Sequence, residues 1–330
     1  MTLILGQLSH AFVLQVTDRL VTDQRSTVLP DFLANKNVIY FARDAVVSIG
    51  YTGVAYIGDL PTDYWIAGKL SGADITQRFN FMSRETSQMF DIGQALSFLA
   101  RELEKSEVAT GDLGFELVMV GWQWKPSRRA RAERPPVPIV KELTKFQGGE
   151  FRQAERPPRH WYWKNGLYLT AHPGLLFETM DKMMTRLRTE VPRKCAGQPI
   201  EKTISLAEEI LVDAVRSVSS NNKQVGPNCM SVALFPPHRS PLARVTFYPQ
   251  DVHLACVTGS DFKSPPLSAA YTPWIIGPNI IHQPSVHVGP GSWDIPVGEF
   301  TVQLNGPHSP QMGLHAMSSQ QRPPRPSRKR

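Results

Sequence analysis

Cysteine is scarce in this chain: Cys195, Cys229 and Cys256 are the only three in 330 residues, and they lie far apart. No CxxC pair exists and none stands at ligand spacing from a histidine, so a disulfide scaffold and a zinc finger are both excluded and reduced, buried thiols are expected. Long apolar runs are also missing. Nothing approaches the roughly 18–20 residues of a membrane-spanning helix, and the N-terminus has neither the basic start nor the small-residue cleavage site of a secretory leader. A cytoplasmic protein with no membrane partner is expected. Nucleotide motifs are absent, with no GxGxxG after a strand and no P-loop, and there is no GxSxG elbow. His160, His172, His238, His253, His282 and His287 show no HExxH or HxH spacing, so neither a metal nor another cofactor is expected. A broad basic surface is missing too. The formal charge is +7, but the last nine residues, RPPRPSRKR, carry five positive charges, and without them +2 remains. A nearly neutral body argues against nucleic acid as a partner.

What is present begins at the N-terminus. Thr2 is followed by an apolar run (Leu3, Ile4, Leu5), a polar turn over Gln7–His10, a second apolar run over Ala11–Val16, and then Thr17-Asp18-Arg19. Two β runs joined by a short turn predict a hairpin, which would return Asp18 to the side of residue 2. A small second residue such as Thr lets the initiator Met be removed. The chain would then start with a hydroxyl and a free α-amine on one residue, and an amine titrating at about 7.7–8.0 can serve as the base that activates that hydroxyl.

These residues carry a resemblance. Thr2, Asp18, Arg19, Thr22, Lys36 and Gly50-Tyr51-Thr52-Gly53 fall in the order found in the N-terminal nucleophile hydrolases, specifically proteasome β-type subunits and their bacterial relatives. The spacing from Thr2 to Asp18 matches without a gap, and Lys36 follows a small insertion. The resemblance is good over residues 2–55, patchy to about 236, and absent beyond. It implies a four-layer αββα sandwich of two antiparallel sheets with helices outside. It implies Thr2, Asp18 and Lys36 as catalytic residues, Gly50, Tyr51, Thr52 and Gly53 as a substrate-binding turn, peptide or amide substrates, and homo-oligomeric assembly. The sequence also departs from the family pattern: Leu20 stands where an Arg is usual, Ala171-His172-Pro173 lacks the usual serine, and Asn221–Gly226 lacks an Asp and a Ser that normally precede the last core strand.

Further along, Val38–Phe41 and Ala45–Ile49 read as a strand pair joined at Arg43-Asp44, and Gly50–Gly53 as a tight turn. Pro61–Leu70 reads as a short helix. Asp91–Lys105 reads as an amphipathic one, with Ile92, Ala95, Leu96, Leu99 and Leu103 at helical spacing. Phe115–Trp122 is apolar enough for a fully buried strand. Lys125–Arg159 is basic and proline-rich and reads as a long exposed insertion. Trp161–Ala171 reads as a hairpin turning at Asn165-Gly166. Helices are expected over Gly174–Thr189 and Ser205–Val218, and strands over Met230–Phe235, Arg244–Tyr248 and Val252–Val257.

The expected organisation is therefore an α+β domain over 1–258 containing the insertion near 125–159. A Pro/Gly-rich extended segment follows over 259–306, and a disordered basic tail over 307–330. The expected function is an N-terminal threonine hydrolase cleaving amide bonds after loss of Met1. The alternative is a catalytically silent scaffold or binding protein on the same fold that self-assembles.

Overall fold

In the computed structural model the residues described are 3–20, 35–73, 89–124, 135–146, 148–156, 167–170, 177–237, 242–248, 268–271, 273–277, 280–282, 285–288, 300–304 and 313–315. Thr2, Thr22, the Asn165-Gly166 turn and Val252–Val257 lie outside them.

The elements in chain order begin with β1 (Ile4–Leu8), β2 (Val13–Asp18), β3 (Asn37–Phe41), β4 (Ala45–Thr52), β5 (Tyr56–Ile57) and β6 (Leu60–Pro61). Helices α1 (Thr62–Ser71), α2 (Ile92–Glu104) and α3 (Glu107–Thr110) follow, then β7 (Phe115–Gln123), β8 (Val137–Lys145), β9 (Phe151–Arg156) and β10 (Leu167–Thr170). After α4 (Phe177–Cys195) and α5 (Ile200–Ser219) come β11 (Cys229–Leu234), β12 (Ala243–Tyr248), β13 (Ser268–Tyr271) and β14 (Trp274–Gly277). The last strands are β15 (Ile280–His282), β16 (Ser285–Val288), β17 (Phe300–Leu304) and β18 (Gly313–His315).

Two seven-stranded sheets dominate. The first runs β10-β1-β2-β11-β12-β17-β18 and the second β15-β14-β3-β4-β7-β8-β9. Pairing is antiparallel except between β14 and β3, which run parallel because β14 returns to the sheet after a long connection.

The hairpin forms as the sequence predicts, with Ile4 opposite Thr17 and Leu8 opposite Val13. The Ser9 hydroxyl accepts from the N–H groups of Ala11 (3.2 Å) and Phe12 (3.0 Å) and donates to the Phe12 carbonyl (2.8 Å). This is a local side-chain turn of the kind serine supplies. Strand β1 runs on through Gln7 and Leu8, which the sequence reading gave to the turn, because both are buried between neighbours.

Every residue of β2 is buried, since both its faces are covered. Leu14 and Val16 pack with Ile204, Leu211 and Val215 of α5 and with Met183 and Leu187 of α4. Val13 packs instead with Ile39, Val46, Val118 and Trp122 of the second sheet. Gln15 points the same way: its carboxamide oxygen accepts from Ser48 Oγ (2.6 Å) and Asn37 Nδ2 (3.2 Å). Trp122 Nε1 donates across to the Leu234 carbonyl at 3.0 Å. The far face of the second sheet packs on α1 and α2 through Ile66, Leu70, Leu96 and Leu99. Each such Leu or Ile contributes about 1.5–3 kcal/mol by leaving water.

Local signals explain the helices. Pro61 precedes α1, and Gly72 ends it in the left-handed region, its N–H donating to Gly68 O. At the start of α2 the Gln94 side chain accepts from Asp91 N, and Ile92 N donates to Asp44 Oδ1 at 2.8 Å, so the β3–β4 turn helps to cap the helix.

Four readings need correction. The segment 125–159 is not one exposed loop: residues 137–145 form β8, paired on both sides by β7 and β9, with Ile139 and Leu143 in the core. One proline and the charges in VPIVKELTK hid a strand whose apolar positions are spaced for burial. Gly50–Gly53 is not a turn, because β4 continues to Thr52 and pairs there with Glu116 of β7. Only Gly53 leaves the strand, at φ 103°, where a Cβ would lie 2.0 Å from the Gly114 carbonyl oxygen. The later segment is not merely wrapped on the body, since β14 and β15 extend the second sheet and β17 the first. Within the expected tail, Gly313–His315 pairs with β17.

Candidate active site

Asp18 ends β2 with no solvent exposure. Four donors surround its carboxylate. Leu3 N donates to Oδ1 at 2.8 Å, while Leu20 N (3.1 Å), Gly226 N (3.1 Å) and Lys36 Nζ (3.0 Å) all donate to Oδ2. Such a set satisfies a buried carboxylate far better than a lone counter-ion would. The hairpin register makes this possible: Asp18 N donates to Leu3 O at 3.3 Å, continuing the β1–β2 ladder to the residue that directly follows Thr2. Thr2 itself lies outside the described residues.

Lys36 immediately precedes β3 and is as deeply placed, with a side chain 4% exposed. Burial lowers its ammonium below the ordinary lysine value. The Asp18 charge and hydrogen bond oppose that shift, as does a weaker influence of Cys229. The two peptide groups flanking Lys36 both bond to Tyr51: Tyr51 N donates to Lys36 O at 3.2 Å and Tyr51 Oη to Asn35 O at 2.8 Å. Arg19 is buried beside them. Its guanidinium lies 4.8 Å from the Phe247 ring centroid, and Nη2 reaches Asn35 Oδ1 at 3.5 Å. Cys229 stands opposite Asp18 on β11, and burial, followed by the Asp18 charge, pushes its thiol far above the ordinary range.

The sequence-predicted residues thus separate. Asp18 and Lys36 meet. Gly50, Tyr51 and Thr52 lie in β4, with Gly50 opposite Asn37 and Tyr51 bonded to Lys36, so the segment runs beside the pair with its main chain engaged in the sheet. Gly50 leaves room there for the Gln15 side chain, whose Nε2 would lie 2.9 Å from a Cβ.

Gly226 and Leu20 were missed as Asp18 donors. They act through backbone N–H groups, which no side-chain motif reveals. A Cβ on Gly226 would sit 2.6 Å from Leu20 Cβ, which is why glycine stands at this position. Asn221 and Asn222, in the stretch that lacks the family's usual Asp and Ser, face elsewhere. Asn221 Nδ2 donates to Ser217 O and Ser220 Oγ at the end of α5, and Asn222 Oδ1 accepts from Gln224 N.

No protein-family model matches the chain, and no match was found among curated proteins. Solved structures are similar to it. Anbu (ancestral beta-subunit) from Yersinia bercovieri shares 11% identity over 72% of this chain and 82% of that one, with a TM-score of 0.38. An Anbu mutant from Hyphomicrobium sp. strain MC1 shares 10% over 71% and 83%, with a TM-score of 0.41. Eukaryotic HslV from Trypanosoma brucei shares 16% over 71% and 99%, with a TM-score of 0.34.

Elsewhere, Glu208 of α5 forms a second buried polar knot. It accepts from Ser231 Oγ (2.7 Å), Arg244 Nη2 (2.6 Å) and Tyr248 Oη (2.8 Å), riveting the helix to β11 and β12. An open cleft of about 890 Å³ between α2 and β9 is lined by Arg43, Phe90, Ser97, Arg101 and Gln153 and shares no lining residue with the Asp18–Lys36 pair. Among the described residues no cluster of three or more His, Cys, Asp or Glu could hold a metal, and no helix is long and apolar enough to cross a membrane.

Proposed function

We propose that the protein is an N-terminal threonine hydrolase of amide bonds, active once Met1 is removed. The observation that carries this reading is the sealed Asp18–Lys36 pair, 3.0 Å apart, at the end of a hairpin whose other strand begins two residues after Thr2. A hydroxyl and an α-amine on one residue supply nucleophile and base. Lys36 supplies a positive charge beside the nucleophile, and burial disfavours its protonated form, which suits it to assisting proton transfer. Asp18 holds that amine in place. Within Gly50–Gly53, an extended peptide would lie alongside the end of β4 where Gly53 leaves the sheet. Side chains from both sheets meet in one cluster, while helices cover the far face of each, which supports a four-layer αββα sandwich. Phe146 and Leu113 are exposed near one end of the β7–β8 pair and supply apolar area for self-association into a homo-oligomer.

The test is intact mass followed by an electrophilic peptide probe. The reading requires loss of one Met and a covalent adduct on Thr2 that Thr2→Ala abolishes. A second reading, a catalytically silent scaffold, is favoured by Asn221 and Asn222 turning to the end of α5 where the family pattern has an Asp and a Ser. Identical behaviour of wild type and Thr2→Ala in every assay would support it.

A further inference from the structure

We infer that Tyr51 is a positioning residue for Lys36, not a contact for substrate. The inference rests on the proposed reading of the Asp18–Lys36 pair and adds a part to it.

A lysine side chain is long and flexible, and its amine can be held at one carboxylate only if its backbone root is held as well. The root has two torsions, φ and ψ, and each is set by the orientation of one flanking planar peptide group. The peptide before Lys36 carries the Asn35 carbonyl, which accepts from Tyr51 Oη at 2.8 Å. The peptide after it carries the Lys36 carbonyl, which accepts from Tyr51 N at 3.2 Å. One residue therefore holds both planes.

The second of these bonds is ordinary sheet pairing, one step beyond Asn37–Gly50, and any non-proline residue would make it. The first needs a side chain of tyrosine's length and a terminal donor. The ring itself is fixed: Tyr51 is 4% exposed and belongs to the core cluster with Val38, Ile49, Ile57 and Leu117. With its ring packed in the core and its hydroxyl hydrogen given to Asn35 O, the side chain has no donor left to offer a substrate. The role also explains why the segment entering β3 arrives in register. Asn35 is gripped from the second sheet by Tyr51 and approached from the first by Arg19, so the Lys36 root bridges the two.

The experiment uses the full chain and reads Lys36 directly. Amine-selective acylation at a series of pH values, located by peptide mass spectrometry, gives the reactivity and apparent pKa of each lysine. Lys145 is an internal control, because it is buried and its Nζ donates to Val108 O and Gly111 O far from Tyr51. Tyr51→Phe keeps the ring and removes only the phenol bond. Tyr40→Phe removes another buried tyrosine hydroxyl, one that is bonded to Phe90. In Tyr51→Phe, Lys36 should acylate roughly tenfold faster when compared at pH values above its apparent pKa, where the amine is neutral, as loss of one buried hydrogen bond would give, and that apparent pKa should rise towards the ordinary value as water reaches it. Lys145 should not change, and Tyr40→Phe should leave Lys36 protected. An unchanged Lys36 rate in Tyr51→Phe would overturn the inference. So would a rise shared with Lys145 or reproduced by Tyr40→Phe, since either would mean general loosening. Because the readout is the lysine, it judges Tyr51 even if the Thr2 probe finds no nucleophile.

Discussion

Replacing Lys36 by Met keeps the length of the side chain and removes its charge. Both partners of the pair are sealed, at 4% and 0% side-chain exposure, so the deletion strands a carboxylate that water cannot reach. Breaking a buried pair in this way costs about 3–5 kcal/mol. Three backbone donors stay on Asp18, from Leu3, Leu20 and Gly226, which places the expected loss near the lower end, about 3 kcal/mol. The surface pair Lys105–Glu102, whose lysine is 72% exposed, offers a contrast, and Lys105→Met should cost less than about 1 kcal/mol. Urea unfolding measures both, provided the dependence on denaturant is unchanged. The double variant Lys36→Met/Asp18→Asn should be less damaging than the two single losses combined, by about 0.5–3 kcal/mol, because the partners share one interaction. A Lys36→Met protein within about 1 kcal/mol of wild type, or strict additivity in the double variant, would refute the view that the pair is sealed and coupled.

Three further outcomes follow from the same geometry. Because burial lowers the folded-state pKa of Lys36 below 10.5, the unfolded chain holds the extra proton between the two values. Stability should therefore rise with pH through that window and level off above it, and Lys36→Met should lose the rise; parallel pH profiles of unfolding free energy for the two proteins would contradict this. Gly226→Ala should cost about 1–3 kcal/mol and speed amide exchange at Leu3 and Leu20, because its Cβ would press on Leu20 at 2.6 Å, whereas Gly93→Ala, which meets nothing within 4 Å, should be neutral or slightly stabilising. Glu208→Ala should cost about 3–5 kcal/mol in urea unfolding, since Arg244, Ser231 and Tyr248 all lose their shared acceptor.

The parts of this fold legible in the sequence were those that local chemistry dictates. Two apolar runs joined by a short polar turn disclosed the first hairpin, and helical spacing from Ile92 to Leu103 disclosed α2. Strand β8 escaped notice because Pro138 and the Lys141-Glu142 pair, next to a basic proline-rich stretch, outweigh Ile139, Val140 and Leu143 in a composition window, although pairing on both sides buries it. The end of β4 was misread for the opposite reason. Glycines at 50 and 53 signal a turn, whereas Gly50 serves a close approach to Gln15 and only Gly53 takes a positive φ. The C-terminal strands join their sheets through long-range pairing, as when Trp274 meets Val38, and no local pattern encodes that.

The same division runs through the site. Asp18 and Lys36 were legible because the hairpin returns one to the start of the chain and the next strand pair brings the other. Their supports were not. Leu20 and Gly226 contribute backbone N–H groups, and Tyr51 contributes a hydroxyl aimed at a carbonyl, so residue type alone carries no sign of the role. Glu208 sits on a helix read only from its apolar positions, and nothing in the sequence marks it as the acceptor on which Ser231, Arg244 and Tyr248 converge.

The most direct measurement is intact mass with and without an electrophilic peptide probe, followed by mapping of the adduct. A threonine hydrolase built on the Asp18–Lys36 pair predicts a chain lacking Met1 and one adduct on Thr2, lost in Thr2→Ala and strongly slowed in Lys36→Met. Retention of Met1, or a probe that leaves a processed Thr2 unmodified while Asp18 and Lys36 are intact, would contradict it.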